Sequence, residues 1–152
     1  MQARMSHPAM VVPDAMDALQ AVGASVGNTD LSPRTIELVN LRVSQINGCA
    51  TCLEGHARVA QQLGETDERL FVVAAWREAP YFTDAERAAF ALAEAMTRLG
   101  DRPDPVPDEI WDDVERNYDE SQRAALVLVI ANINLWNRLN IATRQLAGAW
   151  VP

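Results

Sequence analysis

The sequence predicts an all-α protein, and three observations carry that prediction. Apolar residues recur at helical spacing along most of the chain, no stretch alternates apolar and polar residues as a strand would, and helix start and stop residues punctuate the apolar runs. A chain of 152 residues is long enough for one hydrophobic core and short for two. Residues 1–152 are therefore expected to form a single domain, with residues 1–12 as a loose N-terminal arm.

From Pro13 to about Val22, Met16, Leu19 and Val22 stand at helical spacing, and Gly23 and Gly27 loosen the chain after Val22. Ser32-Pro33 is a helix start, because a serine side chain can cap and proline tolerates the first helical position. Ile36, Val39, Leu41, Val43 and Ile46 continue that helix to Asn47-Gly48, which ends it. A second helix begins at Cys49 or Ala50 and runs to Leu63, closed by Gly64. Asp67 to Trp76 forms another, ending before Pro80. Thr83 and Glu86 make a capping box that opens a helix through Leu99, terminated by Gly100. Prolines 103, 105 and 107 make residues 101–107 a rigid linker, and Asp108 to Tyr118 is a short acidic helix. The last helix, Ser121 to about Leu146, follows Asp119 with Gln122 three residues on. Its apolar run from Ala124 to Ile133 suits a buried central helix, in which Asn132, Asn134, Asn137 and Asn140 must find partners.

Composition narrows the function. The balance of 49% hydrophobic and 22% charged residues is that of an ordinary soluble protein. No apolar run is expected to reach membrane-spanning length. The N-terminus has no basic cluster followed by an apolar stretch, so a cytoplasmic location is the default. A net charge of -8 argues against nucleic acid, which requires a basic face. All thirteen basic residues are arginine, which removes Schiff-base lysine chemistry and a phosphate-loop lysine. Two cysteines three positions apart, in a reducing compartment, read as catalytic or metal-binding before they read as a structural staple.

Cys49, Cys52 and His56 lie three and four residues apart, so on one helix they project from the same face. A dithiol at a helix N-terminus has the geometry for a reversible disulfide, and the positive end of the helix dipole favours thiolate. His56 can exchange a proton near neutral pH. Glu37, on the preceding helix, can supply a matching base if the two helices fold back across Asn47-Gly48 as a hairpin.

The run Glu37-Leu-Val-Asn-Leu-Arg-Val-Ser-Gln-Ile-Asn-Gly-Cys49-Ala-Thr-Cys52-Leu-Glu-Gly-His56 resembles the signature of the alkylhydroperoxidase D and carboxymuconolactone decarboxylase superfamily: a glutamate, eleven residues, then Cys-x-x-Cys-x-x-x-His. The stretch Ile133-Asn-Leu-Trp-Asn-Arg-Leu-Asn140 is similar to the closing helix of that family. The resemblance implies an alkylhydroperoxidase D-like helical domain assembling as a homo-oligomer, trimer or hexamer, with no cofactor. It implies a peroxide substrate, a dithiol reductant such as dihydrolipoamide or a lipoyl protein, and no nucleic-acid or membrane partner. By that analogy Cys52 attacks the peroxide and becomes a sulfenic acid, Cys49 condenses with it, and Glu37 and His56 relay protons. Helix-end electrostatics instead favours Cys49 as the attacking sulfur. The chain departs from the pattern at Thr51, where the best-known member has a histidine.

Other readings stand beside this one. The two cysteines and His56 could ligate zinc, but the only further soft ligand is His7. A decarboxylase-type lyase would not need the dithiol, and a non-catalytic redox-sensing oligomer would use it without turnover. Trp76, Trp111, Trp136 and Trp150 read as core or subunit-interface residues, and Arg42 and Arg138 as ion-pair partners before substrate binders. The acidic run 108–120 reads as a solvated helix face.

Overall fold

The computed structural model describes residues 2–101 and 103–148, and every regular element among them is a helix. The predicted all-α class, with a helix hairpin carrying the cysteines, is what the chain forms.

A single turn that the sequence did not announce, α1 (Pro8–Val11), comes first. The residues before it are fastened to the far end of the chain. The Arg4 N–H donates to the Thr143 carbonyl, its guanidinium to the Ala142 carbonyl, and Gln145 to the Met5 carbonyl. The expected loose arm is therefore tied down at Arg4 and Met5, through contacts to the other end of the chain that helical periodicity cannot reveal. Asp14, in the left-handed region at φ 63°, turns the chain into α2 (Ala15–Ser25), which begins and ends later than predicted. Gly23 sits inside α2 and does not loosen it. A β-carbon there would stand 3.3 Å from Asn132 Nδ2, so glycine lets α2 lie close on the last helix.

The central element is α3 (Pro33–Asn47), which packs against α4 (Ala50–Gln62), α6 (Asp84–Thr97) and α8 (Glu120–Thr143). Neighbours on several sides explain why Leu38, Val39, Leu41 and Val43 are all buried despite pointing in different directions. Ser32 makes no side-chain capping bond, so Pro33 at the first position marks this start without the expected serine cap. Gly48 takes φ 74°, and both its N–H and that of Cys49 donate to the Ser44 carbonyl, reversing the chain into α4.

The predicted helix Asp67 to Trp76 breaks into α5 (Asp67–Phe71) and a 3₁₀ turn over Val73–Ala75. Its three-residue period sets Val73 and Trp76 on one side, and both are buried. The Thr83–Glu86 capping box opens α6 as predicted, but α6 ends at Thr97, ahead of a 3₁₀ turn over Leu99–Asp101. Arg102, within the predicted linker, lies outside the described residues. The acidic side chains of α7 (Asp108–Asn117) face solvent while Val114 is buried, as a solvated helix face requires. The predicted box of Asp119 and Gln122 opens α8, which ends at Thr143 with Arg144 left-handed.

One expectation about this last helix is corrected. α8 is long and apolar enough to meet the dimensions of a membrane span, because the helix continues past the apolar run counted in the sequence. Its Leu126, Ile130 and Ile133 belong to a protein core shared with Val39 and Val43 of α3 and Leu92 of α6. A second cluster gathers Leu38, Leu41, Trp76, Phe82 and Phe90, with Phe82 meeting Phe90 edge to face.

Candidate functional site

The site is built where α3 turns into α4 against the C-terminal half of α8. Asn47, the last residue of α3, donates to Asn134 Oδ1 at 3.0 Å and to Asn137 Oδ1 at 2.9 Å. Asn137, fully buried, donates in turn to Ser44 Oγ at 3.1 Å, and Asn134 donates to Thr97 Oγ1 and to the Ile130 carbonyl. Two of the four asparagines that the sequence left needing partners thus clamp the Asn47-Gly48 turn to α8. This fixes where Cys49 emerges.

Cys49 is the N-cap of α4, its Sγ accepting from the Cys52 N–H at 3.3 Å, and both cysteines are buried. Their Cα atoms are 5.4 Å apart and the sulfurs are joined in a disulfide, a separation ordinary for such bonds. Asn140, from α8, donates to Cys52 Sγ at 3.3 Å. Thr51, between the cysteines, donates to the Gln145 carbonyl at 3.0 Å, which ties the motif to the segment after α8.

His56 lies one turn beyond Cys52 on α4, about 6 Å along the axis. The hairpin brings Glu37 to it, with Oε2 2.7 Å from His56 Nδ1. A carboxylate at that distance fixes the proton on Nδ1 and leaves Nε2 as the basic nitrogen. Asn40, on the same face of α3 as Glu37, places its amide 3.4 Å from both Glu37 Oε1 and His56 Nδ1. Since Nδ1 carries the proton in the pair, the Asn40 N–H serves the carboxylate. The pair is partly shielded, with side-chain exposures of 12% for Glu37 and 26% for His56, so it is sheltered yet reachable.

All four residues singled out by the sequence therefore gather at one hairpin, as two pairs: Cys49 with Cys52, and Glu37 with His56. Among the described residues no hydrogen bond joins one pair to the other. Asn40 and Asn140 are the site residues that sequence reasoning did not assign. Asn40 stands three residues after Glu37, a spacing that places it beside the carboxylate, whereas Asn140 reaches Cys52 only through tertiary structure.

Other candidates resolve differently. Arg42 is an ion-pair partner of Glu94 at 2.6 Å, as expected. Burial alone would push the Glu94 carboxyl up, but hydrogen bonds from Arg77, Trp76 and Arg42 outweigh it and hold the group at about 2. Arg138 departs from expectation, because its guanidinium returns to the Asn134 carbonyl and side chain on its own helix. Trp76 is core and Trp136 packs on the core edge, Trp111 is 36% exposed, and Trp150 lies outside the described residues. A cavity of about 450 Å³ between α6 and α7, lined by Arg87, Asp113 and Arg116 among others, contains none of the four site residues.

Fold and site together define an all-helical protein whose hairpin presents a Cys-x-x-Cys pair beside a hydrogen-bonded carboxylate and imidazole. The sequence profile of the Carboxymuconolactone decarboxylase family matches residues 13–95, and the chain belongs to that family. The uncharacterized protein YdfG of Bacillus subtilis (strain 168) is 37% identical over 132 residues, covering 87% of this chain and 88% of that protein. The uncharacterized protein YnjA of Escherichia coli (strain K12) is 33% identical over 113 residues, covering 74% of this chain and 60% of that protein. Among solved structures, a protein of unknown function from Agrobacterium tumefaciens, suggested to be the antioxidant defence protein AhpD, superposes with a TM-score of 0.89 at 28% identity over 96% of this chain and 98% of that one. The debrominase Bmp8 shares the fold with a TM-score of 0.79 at 21% identity, over 90% of this chain and 73% of its own. The fold thus hosts more than one chemistry, and the site has to decide among them.

Proposed function

We propose that the protein is a thiol-dependent peroxidase that cycles through the Cys49–Cys52 disulfide. The observation that carries this reading is the placement of a joined dithiol one helical turn from a carboxylate-oriented imidazole. In the reduced enzyme the Cys52 thiolate attacks the terminal oxygen of a hydroperoxide. The O–O bond breaks, the alkoxide leaves and takes a proton, and Cys52 becomes a sulfenic acid. Cys49 sulfur then displaces the hydroxyl as water, forming the S–S bond. A dithiol of the dihydrolipoamide kind reopens it by exchange, leaving as its own disulfide.

His56 Nε2, left with the free lone pair while Nδ1 faces Glu37, is the group that takes a proton from the dithiol and returns it to the leaving alkoxide. Asn140, donating to Cys52 Sγ, favours the thiolate on that sulfur, as the Cys52 N–H does on Cys49. Cys52 is also the less buried of the two. Since each sulfur accepts one hydrogen bond, it is the greater exposure of Cys52 that supports it as the attacking sulfur. In a cytoplasm, where the dithiol pool is reduced, the resting form is the dithiol. A trimeric or hexameric assembly belongs to the same reading.

The test is peroxide-dependent oxidation of dihydrolipoamide with the wild type and each cysteine variant. Turnover lost in Cys52→Ser, with a sulfenic acid trapped on Cys52 in Cys49→Ser, supports the assignment. Activity indifferent to both substitutions overturns it in favour of a lyase that does without the dithiol, and slow oxidation without turnover favours a redox sensor.

A further inference from the structure

Opening the disulfide is a choice between two sulfurs, and the proposed cycle leaves that choice unmade. In thiol–disulfide exchange the attacked sulfur keeps the incoming group while the other leaves as a thiolate, so access governs the first and thiolate stability the second. The two sulfurs differ in both respects. Cys49 is the N-cap of α4, 2% exposed, and its Sγ accepts from the Cys52 N–H at 3.3 Å. An acceptor at that position meets N–H groups that have no partner within the helix, at the positive end of its dipole. Cys52 stands inside the first turn, 6% exposed, and its Sγ accepts from the Asn140 amide of α8 at 3.3 Å.

We propose, on the reading of Cys49 and Cys52 as a cycling pair, that the reductant attacks Cys52 and that Cys49 is the leaving group. A thiolate of the donor bonds to Cys52 Sγ, the S–S bond breaks, and its electron pair stays on Cys49 as a thiolate held at the N-cap. The donor's second thiolate then attacks the donor sulfur of this mixed disulfide, which closes the donor's own disulfide and releases the Cys52 thiolate. The donor gives up two electrons and two protons, and the cysteine pair takes up both. Peroxide and reductant therefore meet the same sulfur. Cys49 works from within, closing on the sulfenic acid in one half of the cycle and departing in the other. The helix-end preference for a thiolate on Cys49, at odds with Cys52 as the sulfur that attacks peroxide, is what departure requires. Asn140 acts in the opposite sense by favouring a thiolate on Cys52, but it brings one neutral donor, whereas Cys49 has a donor and the helix end together.

Sulfite tests the choice without peroxide and without a second thiol. It opens a disulfide by the same displacement, leaving an S-sulfonate on the attacked sulfur and a free thiol on the other. Oxidised wild-type protein is treated with sulfite at pH 8, stopped in acid at low conversion and alkylated. Trypsin, cutting after Arg42 and Arg58, releases residues 43–58 as one peptide, whose fragmentation shows which cysteine carries the sulfonate. S-sulfonate on Cys52 is expected to exceed that on Cys49 by about fivefold, the factor that a charge at a helix N-terminus is typically worth. In concentrated urea the ratio is expected to fall to within about twofold of one, since both the helix end and the difference in access belong to the fold. Asn140→Ala removes the donor that favours departure of Cys52, so its ratio is expected to stand at or above the wild-type value. A native ratio below about twofold, a preference that persists in urea, or a fall in Asn140→Ala overturns the assignment. Failure of the peroxidase reading would appear in peroxide turnover and leave the sulfite ratio standing.

Discussion

Asn137 is where the fold and the dithiol are joined, and its removal has a calculable cost. The side chain is fully buried, accepts from Asn47 at 2.9 Å and donates to the equally buried Ser44 hydroxyl at 3.1 Å. Asn137→Ala deletes two hydrogen bonds, each worth about 1 kcal/mol net, and strands the Ser44 oxygen, while Asn47 keeps Asn134. The stranded group adds about 1 kcal/mol more, for a total near 3 kcal/mol. At roughly 2–4 °C per kcal/mol for a chain of this size, the melting temperature falls by about 6–12 °C. Urea unfolding should show the same loss at an unchanged slope. Replacing both partners with apolar groups, Ser44→Ala with Asn137→Leu, should recover most of the stability, since no buried polar atom is then orphaned. It should not recover the site, because the turn presenting Cys49 loses a tether and the disulfide becomes easier to reduce with dithiothreitol. A single Asn137→Ala loss below about 1 kcal/mol would falsify the account, because the clamp would then be ornamental.

Two further outcomes follow from the charges. Glu94 sits at about 2 in the folded protein against an ordinary 4.5, so its stabilising contribution is complete above pH 4.5 and is lost as the pH falls toward 2. At about 1.4 kcal/mol per pKa unit the contribution is about 3.5 kcal/mol. Glu94→Gln should flatten the fall of the urea midpoint between pH 5 and 2, and parallel curves for the two proteins would contradict the assignment. Glu37→Gln leaves the hairpin packed but removes the charge that orients His56, so peroxide turnover should drop by about 10²-fold or more while the far-ultraviolet circular dichroism is unchanged. Undiminished turnover would remove Glu37 from the relay.

Much of this architecture was legible in the sequence because it depends on local chemistry. The capping boxes at Thr83 and Asp119 and the glycine stops at 48 and 64 each act within one turn, and each appears where its residues stand. The four-residue constellation was legible for the same reason: Cys49, Cys52 and His56 share one helix face, and only a reversal at Asn47-Gly48 was needed to bring Glu37 to His56. What the sequence hid is non-local. The break after Phe71 arises because Val73 and Trp76 are both drawn into the core, and the N-terminal segment is fastened by Arg4, whose N–H and guanidinium donate to the Thr143 and Ala142 carbonyls. Asn140 looked like an interruption in an apolar helix until the fold put Cys52 beside it.

The asparagines of α8 show why the site tolerates its buried polarity. An apolar helix of this length would pack as well with leucine at 134 and 137, and would leave the end of α3 free to choose its own angle. Asparagine at both positions accepts from Asn47, so the observed register of α3 on α8 gives all three amides a partner. One turn later the same helix turns an amide toward the sulfur. The polar residues of α8 therefore set the register of the hairpin and the electrostatics of the dithiol together. A substitution that restores stability through apolar packing can still loosen the chemistry, because the two depend on different hydrogen bonds of one helix.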